Sequence, residues 1–430
     1  MPFATLGLSP SLCTPLVRLG YTQPTPVQTQ SIPHVLKGSD LLARAQTGTG
    51  KTAAFGLPMI DRLLVRRQNT GRRIAPMGLV LVPTRELALQ VHKSLSDYGA
   101  PLNLRVTPIF GGVSMHAQVK ALQRGTDIVV ATPGRLLDHL GRKTVDLSKV
   151  EILTLDEADR MLDMGFLPPL RKVLAALPKN RQTLLFSATF AADVVKLASD
   201  FTNQPVRVDV SEGQAVATTV THRVHPVGEG SKTALLTHVL MQNPAGQALV
   251  FCKTKRGSNR VGEYLERTGV NAAVIHGNKS QSARTRALTD FKAGRVMVLV
   301  ATDIAARGLD IVQLPLVVNY DMPLVPSDYI HRIGRTGRAG LAGRAVSLVS
   351  PADRPLLQDI QRLLPDPIEQ VVLEGFNKPG DPASADRPGY RSRPGSRQRR
   401  SGGAAPSARR SGPAGSGGRP PARSGRRPSF

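Results

Sequence analysis

The residues best suited to chemistry are a lysine and a threonine closing a glycine-rich loop, and two adjacent carboxylates far downstream. An apolar run at 41–45 leads into Ala45-Gln46-Thr47-Gly48-Thr49-Gly50-Lys51-Thr52 and then into a helical stretch. Strand, loop and helix in that order are what a nucleotide phosphate site requires. Without side chains, Gly48 and Gly50 let successive backbone N–H groups face phosphate oxygens, and the following helix offers its positive end. Lys51 would neutralise the terminal phosphates, and the Thr52 hydroxyl would ligate a magnesium ion (Mg2+) bridging them. Ala45 stands where the generic pattern has its first glycine, so the strand and helix context carries the match.

A magnesium-bound triphosphate also needs an acidic group at the end of a neighbouring strand. The run 152–155 delivers Asp156-Glu157-Ala158-Asp159 there. Asp156 would hold the metal through its shell, and Glu157 would orient and deprotonate the attacking water. Taken alone, the cluster serves equally well as a solvated helix start whose carboxylates favour the N-terminal dipole. Paired with the phosphate loop, it favours the metal.

Positioning these groups takes parallel sheets covered by helices, and the chain alternates short β-branched runs with amphipathic stretches of helix length. Strands are expected at 41–45, 79–82, 127–131, 152–155 and 183–187, and a second group at 248–252, 273–276, 296–301, 316–320 and 345–349. Between the groups, 211–219 (SEGQAVATT) has no apolar periodicity and reads as a linker. Two α/β sheets in series follow, a duplicated fold without a strict sequence repeat.

The 430 residues carry a net charge of +26, which points to a polyanionic partner. The segment 377–430 is rich in Gly, Pro, Ser and Arg with almost no aliphatic residues, and should be disordered. Its twelve Arg and one Lys against two Asp supply +11 of the total, a flexible polycation for phosphate backbones. No apolar run reaches a membrane span, and the first residues lack a signal peptide's pattern, so the protein is expected to be soluble and cytoplasmic. Cys13 and Cys252 are too few for a zinc cluster or a disulfide framework, and read as buried thiols in a reducing compartment.

Further motifs follow one another along the chain: Gly20-Tyr21-Thr22-Gln23-Pro24-Thr25-Pro26-Val27-Gln28, Pro83-Thr84-Arg85-Glu86-Leu87-Ala88, Gly111-Gly112, Thr132-Pro133-Gly134-Arg135 and Ser187-Ala188-Thr189. The second half adds Val250-Phe251-Cys252, Gln281-Ser282-Ala283-Arg284, Ala301-Thr302-Asp303 through Arg307-Gly308-Leu309-Asp310, and His331-Arg332-Ile333-Gly334-Arg335-Thr336-Gly337-Arg338. With these motifs the chain resembles the DEAD-box ATP-dependent RNA helicases over 3–373, and the bacterial RhlE-like group in stretches such as Met161-Leu162-Asp163-Met164-Gly165-Phe166.

The resemblance implies an α/β fold of two tandem RecA-like parallel-sheet domains with a disordered basic C-terminal tail. The first, residues 1–210, would bind ATP; 211–219 would link it to the second, 220–376; the tail is 377–430. Gln28 would pair with the adenine edge, Tyr21 would pack on its face, Phe3 would support it, and Gln23 belongs to the same stretch. Gln46, Thr47, Gly48, Thr49 and Gly50 would cradle phosphates. Arg335 and Arg338 would reach across from the second domain as arginine fingers, with Gly308 and Asp310 completing that side. RNA would lie along Thr84, Arg85, Gly111, Gly112, Thr132, Pro133, Gly134 and Arg135, continuing to Gln281, Arg284 and Thr302, with Arg284 and Arg307 alternatively bracing the contact between the two domains. Asp159, Ser187, Thr189, Asp303 and His331 would couple the sites.

Backbone contacts carry no base sequence, so the RNA partner, single-stranded or short duplex, should be bound with little sequence preference. Ribosome assembly and RNA decay are the settings in view. Two other readings stay open: an RNA chaperone or scaffold acting through the tail, and a DNA translocase with the same core.

Overall fold

Strands inside a parallel sheet are buried on both faces, which is why they read as near-continuous apolar runs. The computed structural model describes residues 2–46, 48–68, 75–210, 220–243, 246–306, 309, 311, 313–337, 342–364 and 366–376. The linker 211–219, the tail 377–430, Thr47, Arg307, Gly308, Asp310 and Arg338 lie outside the described residues.

The first sheet contains β1 (Leu41–Arg44), β2 (Gly78–Leu81), β3 (Val106–Ile109), β4 (Ile128–Ala131), β5 (Ile152–Leu155), β6 (Gln182–Ser187) and β7 (Val206–Asp209). The second contains β8 (Val220–Pro226), β9 (Ala248–Cys252), β10 (Ala272–Ile275), β11 (Val298–Thr302), β12 (Leu316–Asn319), β13 (Gly343–Val349) and β14 (Glu369–Gln370). Both are all-parallel, in the orders β3-β4-β2-β5-β6-β1-β7 and β10-β11-β9-β12-β13-β8-β14. Counted from its own first strand, each sheet has the same order, so the duplication expected from the run pattern is present as topology.

The ten expected strands are there, with ends shifted by up to two residues. Four others were not legible. β3 contains Pro108, which cannot donate to a ladder and is tolerated because β3 lies at a sheet edge. β7 and β14 are the opposite edges; β7 buries only Val208, and β14 is exposed. β8 is interior, yet His222, Arg223 and His225 interrupt its apolar pattern.

In the helix Lys51–Gln68, the side chains of Phe55, Leu57, Met59, Ile60 and Leu63 are buried against the first sheet and its neighbouring helices. Each such burial stabilises the fold by about 1.5–3 kcal/mol, and together they hold Lys51 in place at the sheet's carboxyl edge, where open α/β sheets bind ligands. Cys13 and Cys252 are buried free thiols. Among the described residues no helix is long and apolar enough to cross a membrane.

Candidate active site and nucleic-acid interface

β1 runs into the glycine loop, where Gly48 (φ 86°) and Gly50 (φ 93°) take left-handed conformations that favour glycine. A Cβ on Gly50 would lie 2.4 Å from Gln28 Nε2. Its absence lets the Gln28 amide seat on the loop, donating to the Gly50 carbonyl at 3.1 Å while its oxygen accepts from the Thr25 amide at 2.9 Å. Each end of the amide keeps one further bonding position, enough for the paired contact with a base edge. Phe3 is buried edge-on to Tyr21, which meets Tyr98 in the same way and shares a 2.5 Å hydroxyl contact with it. Gln23 is exposed. Thr49 Oγ1 closes the loop by donating to the Gln46 carbonyl.

Lys51 Nζ is buried 4.0 Å from Asp156 Oδ1 and has no hydrogen-bond partner; Glu157 Oε2 is also buried and unpartnered. Buried polar atoms are normally satisfied, so a cation and a carboxylate oxygen that are both unpartnered and both act on Asp156 suit a phosphate and its counter-ion. Burial, together with the Glu157 carboxylate, pushes the Asp156 carboxyl up to about 6 against the opposing pull of Lys51. Glu157 itself sits in the left-handed region (φ 54°, ψ 51°), a conformation that costs on the order of 1–3 kcal/mol. Thr52 is half-buried in the first helical turn.

β6 lies between β1 and β5, so its end touches both halves of this arrangement. The Ser187 carbonyl accepts from the Ala45 amide, and the Ala188 amide donates to Asp159 Oδ2 at 3.2 Å. The expected connection to the acidic segment thus runs through the Ala188 backbone, while Ser187 Oγ accepts from the Thr189 amide within the turn.

The loops after β2, β3 and β4 bring the expected RNA residues of the first lobe together. Thr84 caps its helix by accepting from the Leu87 amide. A Cβ on Gly112 (φ 79°) would lie 2.0 Å from Arg85 Nη1, so only glycine lets that guanidinium lie across the loop, and Gly111 flanks it. Thr132 and Pro133 open the next helix, followed by Gly134 and Arg135, whose Nη1 donates to the Val113 carbonyl at 3.1 Å.

In the second lobe the outcome differs. Gln281 Nε2 donates to Glu86 Oε1 at 3.0 Å, and Arg284 Nη2 lies 2.8 Å from Glu86 Oε2, all three side chains buried. Gln281 and Arg284, expected along the RNA track, thus meet Glu86 of the first lobe, the position that a brace by Arg284 would take. Thr302 ends β11 and is buried. Asp303 receives a two-pronged bond from Arg332 (2.6 and 2.7 Å), which also bonds Asn319 and the Asp321 carbonyl and stacks over Phe251. Arg335 is buried and donates to the Leu309 carbonyl of its own lobe. It shares a small pocket with Asp303, Asp328, His331, Arg332 and the first lobe's Arg160. Arg160 Nη1 donates to Asp328 Oδ1 at 2.9 Å, and His331 Nδ1 lies 3.6 Å from the same oxygen.

The DEAD/DEAH box helicase family model matches residues 25–197, and the helicase conserved C-terminal domain model matches 231–340. RNA helicase CrhR of Synechocystis sp. is 43% identical over 376 residues, covering 86% of this chain and 74% of the relative. This chain belongs to the DEAD-box RNA helicases. DEAD-box ATP-dependent RNA helicase CshA of Bacillus cereus is 42% identical over 360 residues, 84% of this chain and 67% of the relative. Among solved structures, S. cerevisiae Dbp5 bound to RNA and ADP BeF3 superposes with a TM-score of 0.77 at 31% identity, covering 86% of the helicase and 95% of that chain.

Three residues of the helicase's interlobe contact escaped sequence reading, Glu86, Arg160 and Asp328, as did Arg332, which holds Asp303 within its own lobe. Glu86 reads locally as a carboxylate at a helix start, and the partners Arg160 and Asp328 are 168 positions apart. Arg160 follows the acidic segment directly and Asp328 precedes His331 by one helical turn, which is the only signal available. Because the pair is buried at 7% and 9% exposure, removing Arg160 takes a counter-charge from a buried carboxylate, costing up to about 3–5 kcal/mol wherever the lobes are joined. Arg160→Ala should therefore weaken RNA binding in the presence of a non-hydrolysable ATP analogue by at least roughly tenfold, with ATP affinity in the absence of RNA unchanged. The exchange Arg160→Asp with Asp328→Arg should recover part of the loss. Undiminished RNA binding by Arg160→Ala would show that the pair does not hold the lobes together.

Proposed function

We propose that the helicase remodels short RNA duplexes by clamping one strand across two lobes that an ATP molecule joins. Lys51, with the amides of Gln46, Thr47, Gly48, Thr49 and Gly50, receives the phosphates; Thr52 and Asp156 would hold a magnesium ion, which would supply charge neutralisation for the phosphates. Glu157 orients and deprotonates water, and Phe3, Tyr21, Gln23 and Gln28 select adenine. Arg335 and Arg338, with Gly308 and Asp310, supply the second lobe's share, so that hydrolysis waits for closure. The single observation that carries this reading is the pair of buried, unpartnered groups, Lys51 Nζ and Glu157 Oε2, that both act on Asp156.

RNA follows Thr84, Arg85, Gly111, Gly112, Thr132, Pro133, Gly134 and Arg135 in the first lobe and Thr302 in the second. The shared strand order supports extending the track. Thr254 and Lys255 follow the second strand of their sheet as Thr84 and Arg85 do in theirs, and Thr254 caps its helix in the same way. Gly277 follows the third strand with Lys255 beside it, as Gly111 and Gly112 have Arg85. ATP and RNA each gain contacts only in the closed form, so each strengthens binding of the other. Asp159, Ser187, Thr189, Asp303 and His331 transmit that coupling. A strand bent by closure leaves regular A-form geometry, a few base pairs separate, and hydrolysis reopens the clamp.

The domains divide at 211–219, and the tail 377–430 adds sequence-independent, salt-sensitive affinity for phosphate backbones. A chaperone acting through that tail alone has no use for the Lys51, Asp156 and Glu157 arrangement. We place the protein in the cytoplasm, in ribosome assembly or RNA decay. The RhlE-like grouping rests on the quoted stretches, since the relatives named above are CrhR and CshA.

The test is ATP hydrolysis by the full chain with and without single-stranded RNA or DNA of the same sequence. RNA alone should stimulate turnover, through its 2′-hydroxyls. Equal stimulation by DNA would overturn the assignment of RNA as the clamped strand.

A further inference from the structure

We propose that Gln118, backed by His139 and Thr144, is a positioning residue that sets the spacing of the two first-lobe loops that grip RNA. This rests on the reading above that those loops hold RNA.

The loop at 110–114 follows β3, and Thr132 with the first turn of the helix Pro133–Gly141 forms the second loop's end after β4; the ends of these adjacent strands are joined by the Thr132 amide donating to the Ile109 carbonyl. Beyond that bond the loops are held by side chains. Gln118 lies on the helix Met115–Gln123 directly after the first loop and is 6% exposed. Its Nε2 donates to the Phe110 carbonyl at 3.0 Å, at the base of the first loop. Its Oε1 accepts from Arg135 Nη1 at 3.1 Å and from His139 Nε2 at 3.0 Å, both on the helix that begins at the second loop. One amide thus bridges both loops. Reversing it would set its NH2 against the Arg135 guanidinium and its oxygen against the Phe110 carbonyl, so these two partners determine the orientation.

His139 is fully buried. Burial, and secondarily the nearby Arg135, keep its imidazole below the ordinary histidine range and so neutral, with Asp138 opposing. The neutral ring offers Nε2–H to Gln118 and leaves Nδ1 to accept from Thr144 Oγ1 at 2.8 Å, a hydroxyl that also lies 3.2 Å from the His139 carbonyl. A single hydroxyl proton serves one of these, and the shorter contact with Nδ1 is the one the network requires. Arg135 Nη1 is then committed to Gln118 and the Val113 carbonyl, and Nε faces Asp138 at 3.5 Å. Nη2 has no protein partner among the described residues. The guanidinium is anchored at one nitrogen with another open, as a phosphate contact needs.

The experiment uses the full chain and three readouts: the RNA concentration for half-maximal stimulation of ATP hydrolysis, turnover at saturating RNA, and ATP affinity without RNA. Gln118→Leu leaves a carbonyl and two donors unsatisfied, and should raise the RNA half-point roughly tenfold with the other two readouts unchanged. Gln118→Glu keeps both acceptor contacts and should recover part of that loss. Thr144→Val should raise the half-point by roughly two- to threefold, and decides the matter if Gln118→Leu does not fold. An unchanged half-point in either variant overturns the proposal, as does a loss of ATP affinity or saturated turnover in the same proportion. Arg135→Ala separates the two layers. If it binds RNA normally, the reading that these loops grip RNA fails and the positioning role falls with it; if it is impaired while Gln118→Leu is not, only the positioning role fails.

Discussion

Glu157→Gln should stop ATP turnover while leaving a long-lived complex with ATP and RNA, hydrolysis falling by about 10²–10⁴-fold, the usual worth of a positioned general base. Glutamine matches glutamate in size and meets the same left-handed backbone at φ 54°, so the local fold survives. The Glu157 carboxylate holds the neighbouring Asp156 carboxyl up; making position 157 neutral lets Asp156 ionise more readily, which favours rather than weakens a bound cation. The base is then lost without loss of ATP, and the lobes stay joined. Single-turnover hydrolysis together with RNA dissociation in excess ATP measures both. Rapid release of RNA by this variant, at the rate of the parent, would remove Glu157 from the role of water-activating base.

Arg335→Ala should bind ATP as the parent does and lose RNA-stimulated turnover by about 10³–10⁵-fold, the range for a finger that stabilises charge in phosphoryl transfer. Lys51 and the glycine loop belong to the first lobe, whereas Arg335 lies at the lobe junction beside Arg160. Truncation also leaves the Leu309 carbonyl without the Arg335 bond, so a thermal melt should accompany the kinetics to separate loss of chemistry from loss of fold. Arg335→Lys keeps the charge but not the planar fork, and should fall between the two. Turnover at saturating RNA equal to the parent's in Arg335→Ala would rule out the finger.

Both effects trace to groups on different lobes, and the two kinds of group were not equally legible. The phosphate loop and the acidic segment are short and contiguous, each at the end of a buried strand whose apolar run announces itself. Their glycines are required by backbone geometry within a few residues: at Gly50 any side chain collides with Gln28. Edge strands such as β3 and β14 were not visible, because a strand with one free side and a solvated face needs neither a continuous apolar run nor every backbone donor. The duplication was expected from the rhythm of runs, although no sequence repeat marks it. Core positions tolerate exchange among apolar residues of similar volume, so two sheets can share an order without sharing residues.

By itself, the sequence determined the nucleotide chemistry, the two-sheet class and the polyanionic partner, since each depends on residue types at close spacing or on summed charge. Tertiary structure alone decided that Gln281 and Arg284 meet Glu86, that Arg160 meets Asp328, and that Gln118 ties two loops into one surface. Those contacts join chain segments brought together only by strand crossovers and lobe closure. Their energy depends on burial at the meeting point, and no local pattern along the chain encodes it.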